Sequence, residues 1–137
     1  MLWELHVSGR TVTRSIETEA EPQAIAEILA DARRIPEWAP AFADRIEAAG
    51  SNEWKVIKDG NNYSLEVVVG NAGRTVSYLR EVEPGRKGGA DIRVLSRPSG
   101  GSVVVMTLPV PPDRTAADVN MVLRREMDSL IQLSLAS

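Results

Sequence analysis

Two charged side chains stand where hydrophobic periodicity calls for apolar ones, and these are the residues best suited to chemistry. The first is Glu126. In the C-terminal stretch, a spacing of about 100° per residue puts Val122, Leu133, Val119, Leu130, Leu123, Ala116, Met127 and Ile131 on one continuous helical arc. Arg125, Asp128, Gln132, Asp118 and Ser129 fall outside that arc. Glu126, however, lies between Leu133 and Val119, and Asn120 lies between Met127 and Ile131. A carboxylate on an apolar face is costly unless it is paired, protonated or in contact with water or a ligand. Two readings of Glu126 follow. It sits over a sheet edge and reaches solvent or an arginine, or it faces an internal cavity as an acid of raised pKa. Asn120 divides in the same way, between cavity contact and an amide satisfied by nearby backbone.

The second residue is Arg80. In the alternating stretch 74–82, Val76, Tyr78, Arg80 and Val82 share one face, and Thr75, Ser77, Leu79 and Glu81 the other. If the first set points inward, Arg80 is carried with it. It then either snorkels to the rim of the interior or pairs with Glu126 across it. Either position suits recognition of a carboxylate or phenolate on an otherwise apolar ligand. Arg80 and Glu126 are therefore the candidate catalytic residues, able to steer protons or stabilise developing charge.

Aromatic side chains complete the set. Trp54 shares a face with Val56, and Tyr63 shares one with Leu65, Val67 and Val69, so both look inward. Each reads as ordinary core or as the wall of a ligand pocket. Trp38 follows Pro36 in a short helical region, and Tyr78 lies on the Arg80 face. The expected ligand-binding set is Trp38, Trp54, Tyr63, Tyr78, Arg80, Asn120 and Glu126.

Composition excludes much else. The chain of 137 residues has no cysteine, which removes disulfides, thiol nucleophiles and thiolate metal sites. It has a single histidine, His6, which alternation places opposite Trp3, Leu5 and Val7 and therefore toward solvent. No metal site and no cofactor are expected. A net charge of −3 has the wrong sign for a nucleic-acid binder. The opening residues carry Glu4 and no signal-like apolar stretch, and the run Val103-Val104-Val105-Met106 is far short of the roughly 20 residues of a membrane span. A cytoplasmic protein without a membrane span is expected.

The elements that must position these residues can be read in order. Residues 10–19 alternate with Val12, Ile16 and Thr18 on one side. The preceding stretch alternates with opposite parity, so residues 1–9 read as an N-terminal extension or the bulged start of the first strand. Glu21-Pro22 opens a helix whose Ile25, Ile28, Leu29 and Ala32 make one buried face. A second short helical piece is expected over 34–42, interrupted by Pro36 and Pro40. Six strands follow, over 44–49, 53–58, 62–69, 74–82, 90–97 and 102–110, separated by turn-rich breaks that include 70–73 and 85–89. Asp113 or Thr115 caps a long helix to about Leu135. At this length one domain, 1–137, can bury about two-thirds of its unfolded surface.

This order resembles the helix-grip fold of the START-like (SRPBCC) superfamily, including its polyketide cyclase/dehydrase group. The resemblance covers positions 10 to 135. Its most specific local piece is Asp31-Ala32-Arg33-Arg34-Ile35-Pro36-Glu37-Trp38-Ala39-Pro40 after the first helix. It implies an α+β fold in which a seven-stranded antiparallel sheet curls around the long C-terminal helix. Two short helices follow the first strand, and an apolar cavity lies between sheet and helix. The implied function is binding of a small hydrophobic molecule: a lipid, an acyl chain or a polycyclic, polyketide-like ring system. The alternatives are a cyclase/dehydratase-like enzyme working without metal or cofactor, and a module that docks on chaperones or ribosomes. One further expectation comes from the residues themselves. The strand 102–110 is apolar on both faces, which suits a homodimer through the sheet, with Val103 and Val105 joined by Trp3, Leu5 and Val7.

Overall fold

The computed structural model describes residues 10–136, without the side chains of Val82 and Glu83. His6, the Trp3-Leu5-Val7 stripe and the parity change near Gly9 lie outside the described residues.

The chain runs β1 (Thr11–Thr18), α1 (Pro22–Ala30), a 3-10 turn (Ala32–Arg34), α2 (Ile35–Trp38), then β2 (Arg45–Ala48), β3 (Glu53–Lys58), β4 (Asn61–Gly70), β5 (Thr75–Glu83), β6 (Arg86–Ser96) and β7 (Ser102–Pro109), and ends in α3 (Ala116–Leu135). The strands form one antiparallel sheet in the order β1-β7-β6-β5-β4-β3-β2. Every neighbouring pair except β1–β7 is consecutive in sequence, as short hairpin connections demand. The fold is therefore α+β: seven strands grip one long helix, with short helices after the first strand. Among the described residues no helix is long and apolar enough to cross a membrane.

Alternation decides which side chains enter the interior. Val104 and Met106 of β7, Ile92 and Val94 of β6, Val76 and Tyr78 of β5, and Leu65 and Val67 of β4 are buried. They pack with Ile25, Ile28 and Leu29 of α1 and with Leu123, Met127 and Leu130 of α3. On the outer face Val103 and Val105 are half-buried, while Val68 and Leu95 are exposed.

Two local expectations need correction. The second helix does not span 34–42. Asp31 accepts a hydrogen bond from the Arg33 N–H, which starts a 3-10 turn at Ala32, and the helix ends at Trp38. Pro40 is the reason for the stop: the residue before a proline is driven out of the helical region, and Ala39 has φ −132° and ψ 60°. The stretch 85–89 is likewise not all turn, since β6 already begins at Arg86. Gly89 sits opposite Leu79 in the β5–β6 ladder, and a Cβ there would fall on the Tyr78 carbonyl oxygen. Glycine stands at 89 because the backbone approaches closely, and not because the chain reverses.

The N-terminus of α3 carries a complete capping box. The Thr115 side chain accepts from the Asp118 N–H at 3.1 Å, and Asp118 accepts from the Thr115 N–H at 3.4 Å. Thr115→Ala is expected to lower the urea-unfolding free energy by about 1 kcal/mol at constant slope. An unchanged midpoint would mean that the cap contributes nothing to stability.

Candidate functional site

Between the sheet and the first half of α3 lies a cavity of about 550 Å³. Its wall is made by Ile35, Trp38 and Ala39 around α2, by Ala41 and Phe42 after it, and by Tyr78, Ala90, Met106 and Leu108 of the sheet. Val119, Val122 and Glu126 close it from the helix, and the loop carrying Asp113 and Arg114 borders it. The C-terminal half of α3 leaves no such space, because Met127 and Leu130 are packed into the core with α1. The cavity exists where the small side chains of Ala39, Ala41, Gly89 and Ala90 fall short of filling the gap between helix and sheet.

Glu126 is on this wall and is only 8% exposed. Among the described residues no hydrogen bond or ion pair reaches its carboxyl. Burial alone, with no compensating cation, raises its pKa from 4.5 to about 7. The edge position with an arginine partner is therefore not the one Glu126 occupies. That arrangement is found at Asn120 instead. The Arg14 guanidinium of β1 donates to its Oδ1 at 2.9 Å, which satisfies the amide away from the cavity. Asn120, expected to touch ligand, does not line the cavity.

Arg80 shares the inward parity of Val76 and Tyr78 but lies exposed near the end of β5. Its guanidinium carbon sits 4.2 Å from the centre of the Tyr63 ring, and the side chain borders the cavity. No ion pair joins Arg80 to Glu126 among the described residues, so the buried pair across the interior is not formed. The rim position explains why: a guanidinium that can stack on an aromatic face beside water need not be desolvated.

The aromatic residues divide into wall and support. Trp38 is 3% exposed, lines the cavity and stands 6.0 Å from Tyr78, ring centre to ring centre. Its indole N–H is buried without an acceptor. Tyr78 also lines the cavity, but its hydroxyl donates to the Leu29 carbonyl of α1 at 2.6 Å. Burial, reinforced by Asp31, pushes this phenol far above its ordinary range, so it stays neutral and its proton is committed to the backbone. Tyr63 and Trp54 were expected on the wall and are not there. The Tyr63 hydroxyl donates to the Phe42 carbonyl at 2.9 Å, and its ring meets Phe42 edge-on at 5.9 Å. It props Phe42 and Arg80 from behind. Trp54 packs at the margin of the core beneath the Arg33 guanidinium, 5.0 Å from its ring centre.

Sequence reasoning passed over Phe42, Met106, Leu108, Val119 and Val122 as site residues, and also Asp113 and Arg114. The aliphatic ones carried no signal beyond ordinary core periodicity. The loop pair carried none, because a loop between a strand and a helix has no periodicity to read. Among the described residues no group of three His, Cys, Asp or Glu side chains could hold a metal ion.

What the arrangement can do chemically is limited and specific. It can enclose an apolar body, present one carboxyl poised near neutrality, and offer cationic side chains where the cavity opens.

Comparison with known proteins places these features. Residues 9–136 match the model of a family described as polyketide cyclase / dehydrase and lipid transport. In structure the chain is similar to an AHSA1-like protein from Aeromonas hydrophila, with a TM-score of 0.68 and 18% identity over 93% of each chain. A protein from Mesorhizobium loti aligns with a TM-score of 0.63 and 20% identity, covering 90% of this chain and 96% of its own. A START superfamily protein from Mycobacterium smegmatis aligns with a TM-score of 0.61 and 13% identity, covering 91% of this chain and 94% of its own. At such identities the likeness is one of fold. No curated protein matches the sequence.

Proposed function

Since the chain belongs to the polyketide cyclase / dehydrase and lipid transport family, we propose that it holds a small hydrophobic molecule in the cavity between the sheet and α3. The ligand classes that fit are a lipid, an acyl chain or a polycyclic aromatic ring system. One observation carries this reading. A space of about 550 Å³ is lined by Trp38, Phe42, Met106, Leu108, Val119 and Val122, with Glu126 and Tyr78 on the wall and Arg80, Asp113 and Arg114 around it. That volume is within the range of small-molecule sites, and its lining is the usual mixture of many apolar side chains with a few placed polar ones.

A second reading is supported by Glu126 itself. A carboxyl of pKa about 7 on the wall of an apolar cavity has the protonation balance of a general acid–base. In a cyclase- or dehydratase-like reaction the cavity would orient a poly-carbonyl substrate, and Glu126 would pass a proton while Arg80 stabilised an enolate. Glu126→Gln would then abolish turnover and leave binding in place.

The experiment that tests the first reading is a titration with a neutral apolar fluorophore, Nile red, against wild type and Ala41→Trp. Ala41 borders the cavity yet is exposed, so an indole there obstructs the opening without disturbing the core. Affinity is expected to fall about tenfold or more in the variant. Met121→Ala, on the exposed side of α3, should leave it unchanged. Equal affinities in wild type and Ala41→Trp would place the dye elsewhere and remove the support for a ligand cavity.

A further inference from the structure

Glu126 has no partner among the described residues, in a cavity that otherwise suits an apolar molecule, and that constrains the molecule. The titratable and charged groups around it are few. Tyr78, Arg80, Asp113 and Arg114 line the same cavity, and none bonds to the carboxyl. On β1, Arg14 is occupied by Asn120. Beside α2, Arg34 and Glu37 pair with each other at 3.1 Å on the exposed side. On α3 itself Arg124, Arg125 and Asp128 are exposed on the far side. Among the described residues, therefore, no cation reaches a Glu126 carboxylate. Only its 8% exposure keeps that group in touch with water.

A ligand that fills the cavity removes this remaining hydration. A carboxylate then becomes untenable unless the ligand brings a positive charge. The lining argues against a cationic ligand, because the charges at the opening include two guanidiniums, Arg80 and Arg114, against one carboxylate, Asp113. The neutral acid is left, and a neutral carboxyl has one O–H to donate. The Tyr78 hydroxyl does not compete with it as a donor, since its proton is spent on the Leu29 carbonyl. The O–H of a neutral Glu126 is thus a donor on the wall without an acceptor among the described residues.

Building on the ligand-binding reading above, we infer that Glu126 enters the complex as the neutral acid and donates its O–H to an oxygen of the ligand. The molecule taken up is then an apolar body with a carbonyl or ether oxygen, and occupancy draws in a proton. Burial raises the carboxyl of the unoccupied protein to about 7, so a large part of the population must take up this proton near neutrality. Above that value the affinity falls about tenfold for each pH unit.

The test is calorimetric titration with three matched probes: 2-acetylnaphthalene, 2-ethylnaphthalene and 2-(aminomethyl)naphthalene. The ketone is expected to bind more tightly than the hydrocarbon. Its affinity should drop roughly 30-fold between about pH 5.5 and about pH 8.5. In two buffers of different ionisation enthalpy, the heats at the higher pH should report uptake of close to one proton. Glu126→Gln, whose amide donates at every pH, should bind the ketone with no such drop. A ketone affinity that is independent of pH in wild type overturns the inference, as does preference for the amine. If the hydrocarbon binds as well as the ketone at low pH, the inference fails while the cavity stands. If none of the three binds, the ligand-binding reading falls with it.

Discussion

Gly101→Ala is expected to cost about 3 kcal/mol, enough to lower Tm on the order of 10 °C. Gly101 is buried just before β7 with φ +80°, a left-handed conformation, and an added Cβ would fall on the Thr18 carbonyl oxygen and 3.0 Å from the Glu19 Cα. Both obstacles are backbone, and neither can rotate aside. The strand pair they belong to joins the edge strand β1 to β7, with Thr18 opposite Ser102 and the Ser102 hydroxyl donating to the Ala20 carbonyl at 2.7 Å. Relief would need β1 and β7 to separate where the chain turns into α1. The neighbouring position is an internal control. Gly100 also has a left-handed φ, +98°, but nothing lies within 4 Å of its would-be Cβ. Gly100→Ala should therefore cost only the conformational penalty, about 1 kcal/mol. Thermal unfolding of the two variants separates the causes. Equal losses would mean that backbone conformation alone matters and that the close approach at Thr18 is not felt.

The second large effect concerns Glu126 and depends on pH. In the unfolded chain its carboxyl titrates near 4.5, and in the folded protein near 7. Below the lower value both states hold the proton and the residue costs nothing. Between the two, the folded state binds a proton that the unfolded state has released, so stability declines as pH rises through this window. Above about 7 the full difference is present, about 3 kcal/mol at roughly 1.4 kcal/mol per decade. Glu126→Gln keeps the shape and removes the titration. The variant should therefore match wild type within a few tenths of a kcal/mol near pH 4.5 and exceed it by about 3 kcal/mol near pH 8.5. Urea unfolding at the two pH values measures the difference directly, because all other titrating groups cancel between the two proteins. A gap of the same size at both values would show that the carboxyl is not desolvated in the fold. A group that destabilises the unoccupied protein at neutral pH fits a functional role better than a structural one, since a leucine there would cost less.

Much of the architecture can be read directly from the residues. Alternation in the strands and the i, i+3, i+4 spacing in the helices depend only on the geometry of each element, which local sequence specifies. For the same reason Glu126 could be recognised in the chain as a carboxyl misplaced on an apolar arc, and Arg80 as a cation carried on an inward face. The proline and glycine signals were harder. Pro40 does break the short helical piece, but Pro36 sits in its first turn and does not interrupt it, and Gly88-Gly89 read as a turn although the structure uses the missing Cβ for close strand approach.

The membership of the cavity was decided only in three dimensions. Periodicity assigns each residue a side, inward or outward, and Trp54 and Tyr63 do look inward. Whether an inward residue meets packed neighbours or open space depends on where α3 crosses the sheet, and on which facing side chains are small. Phe42 takes the wall position and Tyr63 stands behind it, and no local pattern distinguishes the two. Asn120 and Glu126 are two polar residues on the same arc, yet one finds Arg14, which is 106 positions away in the chain, and the other finds no partner among the described residues. A cavity is the volume left over after every long-range contact has been made, and it is therefore a property of the whole packing and of no single segment.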